Sequence, residues 1–186
     1  MNVFEMLMLG KQISFEDGKI ELAGQRVVLM PIGPFAHYIA EINNDPELLG
    51  KLYLAAKRSI REGGVVEKLY KRSAKNYAQW FVDIMNLFGL GKFNIENLDE
   101  EKGGGVVNLE NSPVAIYLKG NISRCADHLT RGLISGVMSV ILKEDIEAIE
   151  TECFGIGNKN CRFIFGKKNE LKSNFSMLYA QQFQKD

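Results

Sequence analysis

The sequence predicts an α+β domain in which an antiparallel sheet is packed against helices. Two observations lead there. Apolar residues alternate with polar ones in short runs beside glycine turns, whereas two long stretches repeat them at every third or fourth position. The resulting order of strands, helices, sheet, helix and hairpin lacks the strict strand–helix alternation that a parallel sheet requires. A length of 186 residues suits one core better than two. No repeat or Pro- or Ser-rich linker divides the chain, so residues 1–186 are read as one domain.

Within residues 1–30, Ile13 to Phe15 and Lys19 to Leu22 flank Asp17-Gly18, a hairpin turn signal, and Arg26 to Met30 adds a third short strand. Residues 44–90 form the helical part. Asp45-Pro46 combines an N-cap with proline at the first helical position, and Leu48, Leu49, Leu52, Tyr53, Ala56 and Ile60 make a stripe that ends near Gly63-Gly64. A second helix carries Val66, Leu69, Tyr70, Ala74, Tyr77, Ala78, Phe81, Ile84, Met85 and Phe88 and stops at Gly89.

Residues 92–166 open with strands at Phe93 to Ile95 and Val106 to Leu109, and the apolar run Val114 to Leu118 reads as a buried strand. A third helix is expected from about Ile122 to Leu142. Its glycines, Gly132 and Gly136, lie one turn apart, and each costs about 1 kcal/mol relative to alanine, which points to a close approach of another backbone. Glu147 to Phe154 and Cys161 to Phe165 form a hairpin through Gly155-Ile156-Gly157-Asn158, and a short helix is expected in the tail 169–186.

Composition narrows the function classes. With 46% apolar and 25% charged residues the chain is an ordinary globular one. Twenty-three basic against 23 acidic side chains argue against a nucleic-acid or anionic-membrane binder. The basic stretch Lys51 to Lys75 spreads over two helices and reads as a solvated face. The uncharged run Gly132 to Leu142 is much shorter than the roughly 20 residues of a membrane span. Glu5 interrupts the first apolar run and no basic segment precedes it, so a stand-alone cytoplasmic protein is expected.

Three cysteines, an odd number, do not make a disulfide scaffold. A hairpin centred on Gly157 places Cys153 opposite Cys161, and directly paired Cβ atoms are about 5 Å apart, close enough for two thiolates to share a tetrahedral ion. Cys125 falls in the first turn of the third helix as drawn here, where the helix dipole favours a thiolate. Spacing alone leaves two other readings open: Cys125 as part of an apolar stripe, and the hairpin pair as inert thiols or a weak disulfide.

The segment Glu150-Thr-Glu-Cys153-Phe-Gly-Ile-Gly-Asn-Lys-Asn-Cys161-Arg162-Phe resembles the closing motif of the 4-vinyl reductase domain, and Cys125 with Gly132-Leu-Ile-Ser-Gly136 is similar to the helix before it. The resemblance implies the ligand-binding fold of the NO-signalling and Golgi-transport type, shared with phenol-responsive transcription activators and, distantly, with subunits of a vesicle-tethering complex. It also implies a zinc ion held by Cys125, Glu150, Cys153 and Cys161. Glu150 and Cys153, three apart, would point to opposite faces of a regular strand, so a bulge is required. His128, three residues after Cys125, is the competing fourth ligand, and His37 reads as structural. A Cys3Glu set leaves no open position, so the zinc would be structural.

Tyr70, Tyr77, Trp80, Phe81 and Phe88 fall within nineteen residues. Trp80 lies off the main stripe, so Tyr77, Trp80, Phe81 and Ile84 are candidates to line a ligand cavity, or to form part of a homodimer contact. The resemblance implies a small hydrophobic ligand, aromatic ones included; one branch of the family is linked to vinyl reduction in tetrapyrrole synthesis. The glycine turns lack the dinucleotide fingerprint, and no Ser/His/Asp set or HExxH motif occurs. A sensor module is therefore preferred to the alternatives, a reductase or accessory subunit in tetrapyrrole metabolism and a protein-interaction scaffold.

Overall fold

The computed structural model describes residues 10, 13–22, 25–62 and 73–183. Strands β1 (Ile13–Glu16), β2 (Lys19–Leu22) and β3 (Gln25–Val27) form a small antiparallel sheet. Asp17 and Gly18 both take positive φ in its first turn, as a two-residue hairpin demands. Helices α1 (Ile32–Ile42), α2 (Pro46–Glu62) and α3 (Ala74–Leu87) follow. Sequence reading assigned no element to α1, whose first turn contains Gly33 and Pro34. Proline there forfeits only a donor that has no partner anyway. The expected beginning of the second helix, Val66 to Tyr70, and the Gly63-Gly64 stop lie outside the described residues.

The main sheet has the order β4-β5-β7-β6, antiparallel throughout, with β4 (Lys92–Asp99), β5 (Gly104–Glu110), β6 (Ile146–Glu152) and β7 (Cys161–Lys167). Two expectations change between β5 and β6. Val114 to Leu118 is not a strand but mostly helix α4 (Pro113–Tyr117), because Ser112 caps it by accepting the Ala115 N–H at 3.1 Å and proline occupies the first turn. The next helix, α5, spans His128–Leu142, so Cys125 precedes it rather than lying in its first turn. The tail bends at Phe175 into α6 (Lys168–Asn174) and α7 (Ser176–Gln182).

One face of the sheet, through Val107, Leu109, Ala148, Phe163 and Phe165, packs on α5 and α3 in the main core. The tail covers the other face, where Ile149 meets Leu171 and Tyr179. The contact of α5 with α2 explains the paired glycines. A Cβ on Gly132 would lie 2.6 Å from the Ala56 Cβ, and one on Gly136 would lie 2.8 Å from the Lys57 carbonyl oxygen, so neither position accepts a side chain without displacing α2. Lys57 is not on a solvated face: it is buried and pairs with Asp145 at 2.8 Å and Glu147 at 3.3 Å. Among the described residues no helix is long and apolar enough to cross a membrane.

Candidate metal centre

The hairpin register carries the site. Glu152 pairs with Arg162, as a turn centred on Gly157 requires, but Glu150 pairs with Phe163, so Thr151 is the extra residue of a bulge. That bulge lets Glu150 and Cys153 face the same interior, which a flat strand forbids. One sulfur each from Cys153 and Cys161 and a carboxylate oxygen of Glu150 lie within 4.8 Å of one another, all fully buried. Cys125 arrives from the segment before α5. Its Sγ–H donates to the Glu150 carbonyl oxygen at 3.5 Å, and its thiol is within hydrogen-bonding reach of Cys153.

Electrostatics make this a crowded anionic pocket. Donation from the Cys125 and Cys161 thiols holds Cys153 far below the usual thiol range and pushes those two donors up in return. Burial, followed by the charges of Asp127 and Cys153, pushes Glu150 well above the carboxylate range. Glu150 Oε2 accepts the Asp127 N–H at 3.1 Å, whereas Oε1 is buried without a hydrogen-bond partner. An orphaned carboxylate oxygen beside three mutually opposed acidic sulfurs is the arrangement that a divalent cation with a preference for sulfur would relieve.

His128 does not compete for this position. Its Nδ1 accepts from Arg131 Nη1 at 2.9 Å, so its Nε2 carries the proton and faces the Cys125 carbonyl oxygen at 3.1 Å. Both ring nitrogens are committed, and burial together with Arg131 lowers its pKa to about 3. His37 meets Tyr117 edge to face, with Nε2 3.1 Å from the hydroxyl.

Sequence reasoning missed Asp127, Arg131 and Gln182. Asp127 Oδ2 accepts from Ser112 Oγ at 2.7 Å and from the Cys161 thiol at 3.4 Å, and burial raises its pKa to about 6. Arg131 is fully buried against the rings of Tyr53 and Phe183, 4.5 and 4.6 Å from their centroids. One signal for it was available: Arg131, Ser135 and Ser139 recur every fourth residue through an apolar helix, and such a polar stripe must meet polar partners.

Of the aromatic candidates, Tyr77, Phe81 and Ile84 are buried in the main core and Trp80 is half-buried at its margin. The two described cavities are lined elsewhere. One, of about 360 Å³, lies among α1, α4 and the start of α5, with Phe35, Ile39, Val114, Ala126 and Asp127 on its wall. The other, of about 480 Å³, lies between the small sheet and the end of α3.

The fold is one that a sensory domain also adopts: the chain superposes on the phenol-responsive sensory domain of the transcription activator PoxR, crystallised with phenol, with a TM-score of 0.75 and 18% identity over 96% of this chain and 95% of that one. Residues 106–167, from β5 to the end of β7, match the vinyl-4-reductase (4VR) domain family, which bears out the resemblance read from the cysteine motif. A vinyl-4-reductase family protein from Methanocaldococcus jannaschii overlaps more loosely, with a TM-score of 0.49, 16% identity and coverage of 75% and 82%. An uncharacterized protein of the same organism is 22% identical over 96 residues, 52% of this chain and 54% of its own length. The chain thus spans about half the length of that curated relative.

Proposed function

We propose that this chain is a sensor module that binds a small, largely apolar molecule and is braced by one structural zinc on Cys125, Glu150, Cys153 and Cys161. The convergence of these four groups in one buried pocket, with Glu150 Oε1 lacking a partner, carries the metal part of the reading. Three thiolates and a carboxylate close a tetrahedral shell, so the ion would hold the hairpin against the segment before α5 and supply no open site for hydrolysis.

The cavity beside α1 supports the ligand part. Its volume of about 360 Å³ fits a single aromatic ring with room around it, and its wall is apolar except near Asp127 and Thr130. A molecule there would press on Ala126 and Asp127, next to Cys125, which places ligand and metal on the same segment. Phenol is the probe of choice. Calorimetry should show saturable uptake without turnover that is lost in Val114→Trp, which fills the cavity. Undiminished uptake by that variant would remove the cavity from the reading.

The proposal includes a homodimer. Phe15, Val28, Leu29, Met30 and Phe88 are exposed around the groove between the small sheet and α3, and a contiguous apolar surface of this kind suits a second copy.

A further inference from the structure

Strand β6 is an edge of the main sheet, and its outward backbone groups are closed without another strand. On α5, Ser139 Oγ accepts the Ile146 N–H at 3.0 Å, and the Ser135 and Ser139 hydroxyls donate to the Ile146 carbonyl at 2.5 and 3.2 Å. One turn earlier on the helix and two residues further along the strand, Arg131 Nε donates to the Ala148 carbonyl at 3.0 Å. The next outward position is Glu150, and here the partner comes from the tail. The Glu150 N–H donates to Gln182 Oε1 at 2.9 Å, and Gln182 Nε2 donates to the Glu150 carbonyl at 2.6 Å. The Gln182 amide thus pairs with Glu150 as a neighbouring strand residue would.

Gln182 is itself held in place. Its carbonyl oxygen accepts from Arg131 Nη1 and Nη2, both at 3.1 Å, and the following Phe183 ring stacks on Tyr179 and meets Tyr53 edge to face. The backbone that Gln182 fixes belongs to the residue whose carboxylate enters the cysteine pocket, and the same Glu150 carbonyl accepts the Cys125 thiol. An amide that sets the position of a ligating carboxylate affects the site as strongly as outer-shell partners do elsewhere.

The geometry points to Gln182 as the positioning residue for Glu150, so that filling of the metal site and docking of α7 are linked. This rests on the zinc reading above. Linkage is reciprocal: whatever factor the docked tail adds to metal affinity, bound metal adds to docking of the tail. Loading of a buried ion is thereby reported at a helix on the far side of the sheet edge.

The test uses the full chain, loaded with zinc or stripped by a chelator, with zinc per chain measured on the same samples. In the unmodified protein, stripping should speed amide exchange across residues 176–182 by about tenfold or more. Gln182→Met keeps the side-chain volume and removes both amide bonds. It should weaken zinc in chelator competition by about 10- to 100-fold and narrow the gap between the melting temperatures of loaded and stripped protein. A residue with only a structural role would lower both melting temperatures equally. Unchanged zinc affinity in this variant, or unchanged exchange on stripping, overturns the linkage while leaving the metal site standing. Unmodified protein that takes up no zinc overturns both.

Discussion

At the scale of single residues, a cluster of acids needs a cation more than it needs its neighbours. Cys153 is the residue on which the others converge, since both remaining thiols donate to it. Cys153→Ser should abolish metal retention. A chelator should lower melting of the unmodified protein by about 10 °C or more, given the usual conversion of metal linkage into melting temperature, and should leave the variant unmoved. His128 gives a pH prediction. It is held neutral in the fold down to about pH 3 against an ordinary value of 6.5, so between those limits the unfolded chain binds a proton that the folded chain does not. Its contribution to stability is therefore lost as pH falls through that window. His128→Gln should flatten the drop in urea midpoint between about pH 7 and about pH 5; an equally steep drop in the variant would show that the histidine is not its source.

At the scale of elements, the α2–α5 crossing depends on two missing side chains. Alanine is the better helix former by about 1 kcal/mol, yet Gly132→Ala should destabilise by about 1–3 kcal/mol because its Cβ drives into α2. A gain in melting temperature would contradict the close approach. The glycine spacing made this contact legible in the sequence, as the Asp17-Gly18 turn did for the first hairpin. The hairpin at Gly157 was also legible, and with it the need for a bulge, because a three-residue offset cannot satisfy one face of a strand. Helices α1 and α4 were not. Each is short, begins beside proline and has no full helical repeat, and an apolar run such as Val114 to Leu118 does not distinguish strand from helix. Asp127, Arg131 and Gln182 stayed hidden for a different reason: each acquires its partner from an element distant in sequence, and only Arg131 left a periodic trace.

At the scale of the whole molecule, the described chain divides into a metal-braced hairpin, a cavity against α1 and an apolar face by the small sheet. The cavity and the metal pocket share the segment Ala126–Asp127, so a ligand that moves this segment acts on Cys125 and, through Glu150, on the tail. The apolar face assigns the partner. Sedimentation should give twice the chain mass of 20.9 kDa, and Leu29→Glu, at an exposed position on that face, should yield the monomer; a dimer that survives the charge places the contact elsewhere. The PoxR domain demonstrates the fold, and the chemistry proposed for this chain rests on its own residues.

X-ray absorption at the zinc edge of the purified protein tests the central claim most directly. One zinc per chain is predicted, with three sulfurs at about 2.3 Å and one oxygen at about 2.0 Å. A shell with two sulfurs and two light atoms, or no zinc retained at all, would contradict it.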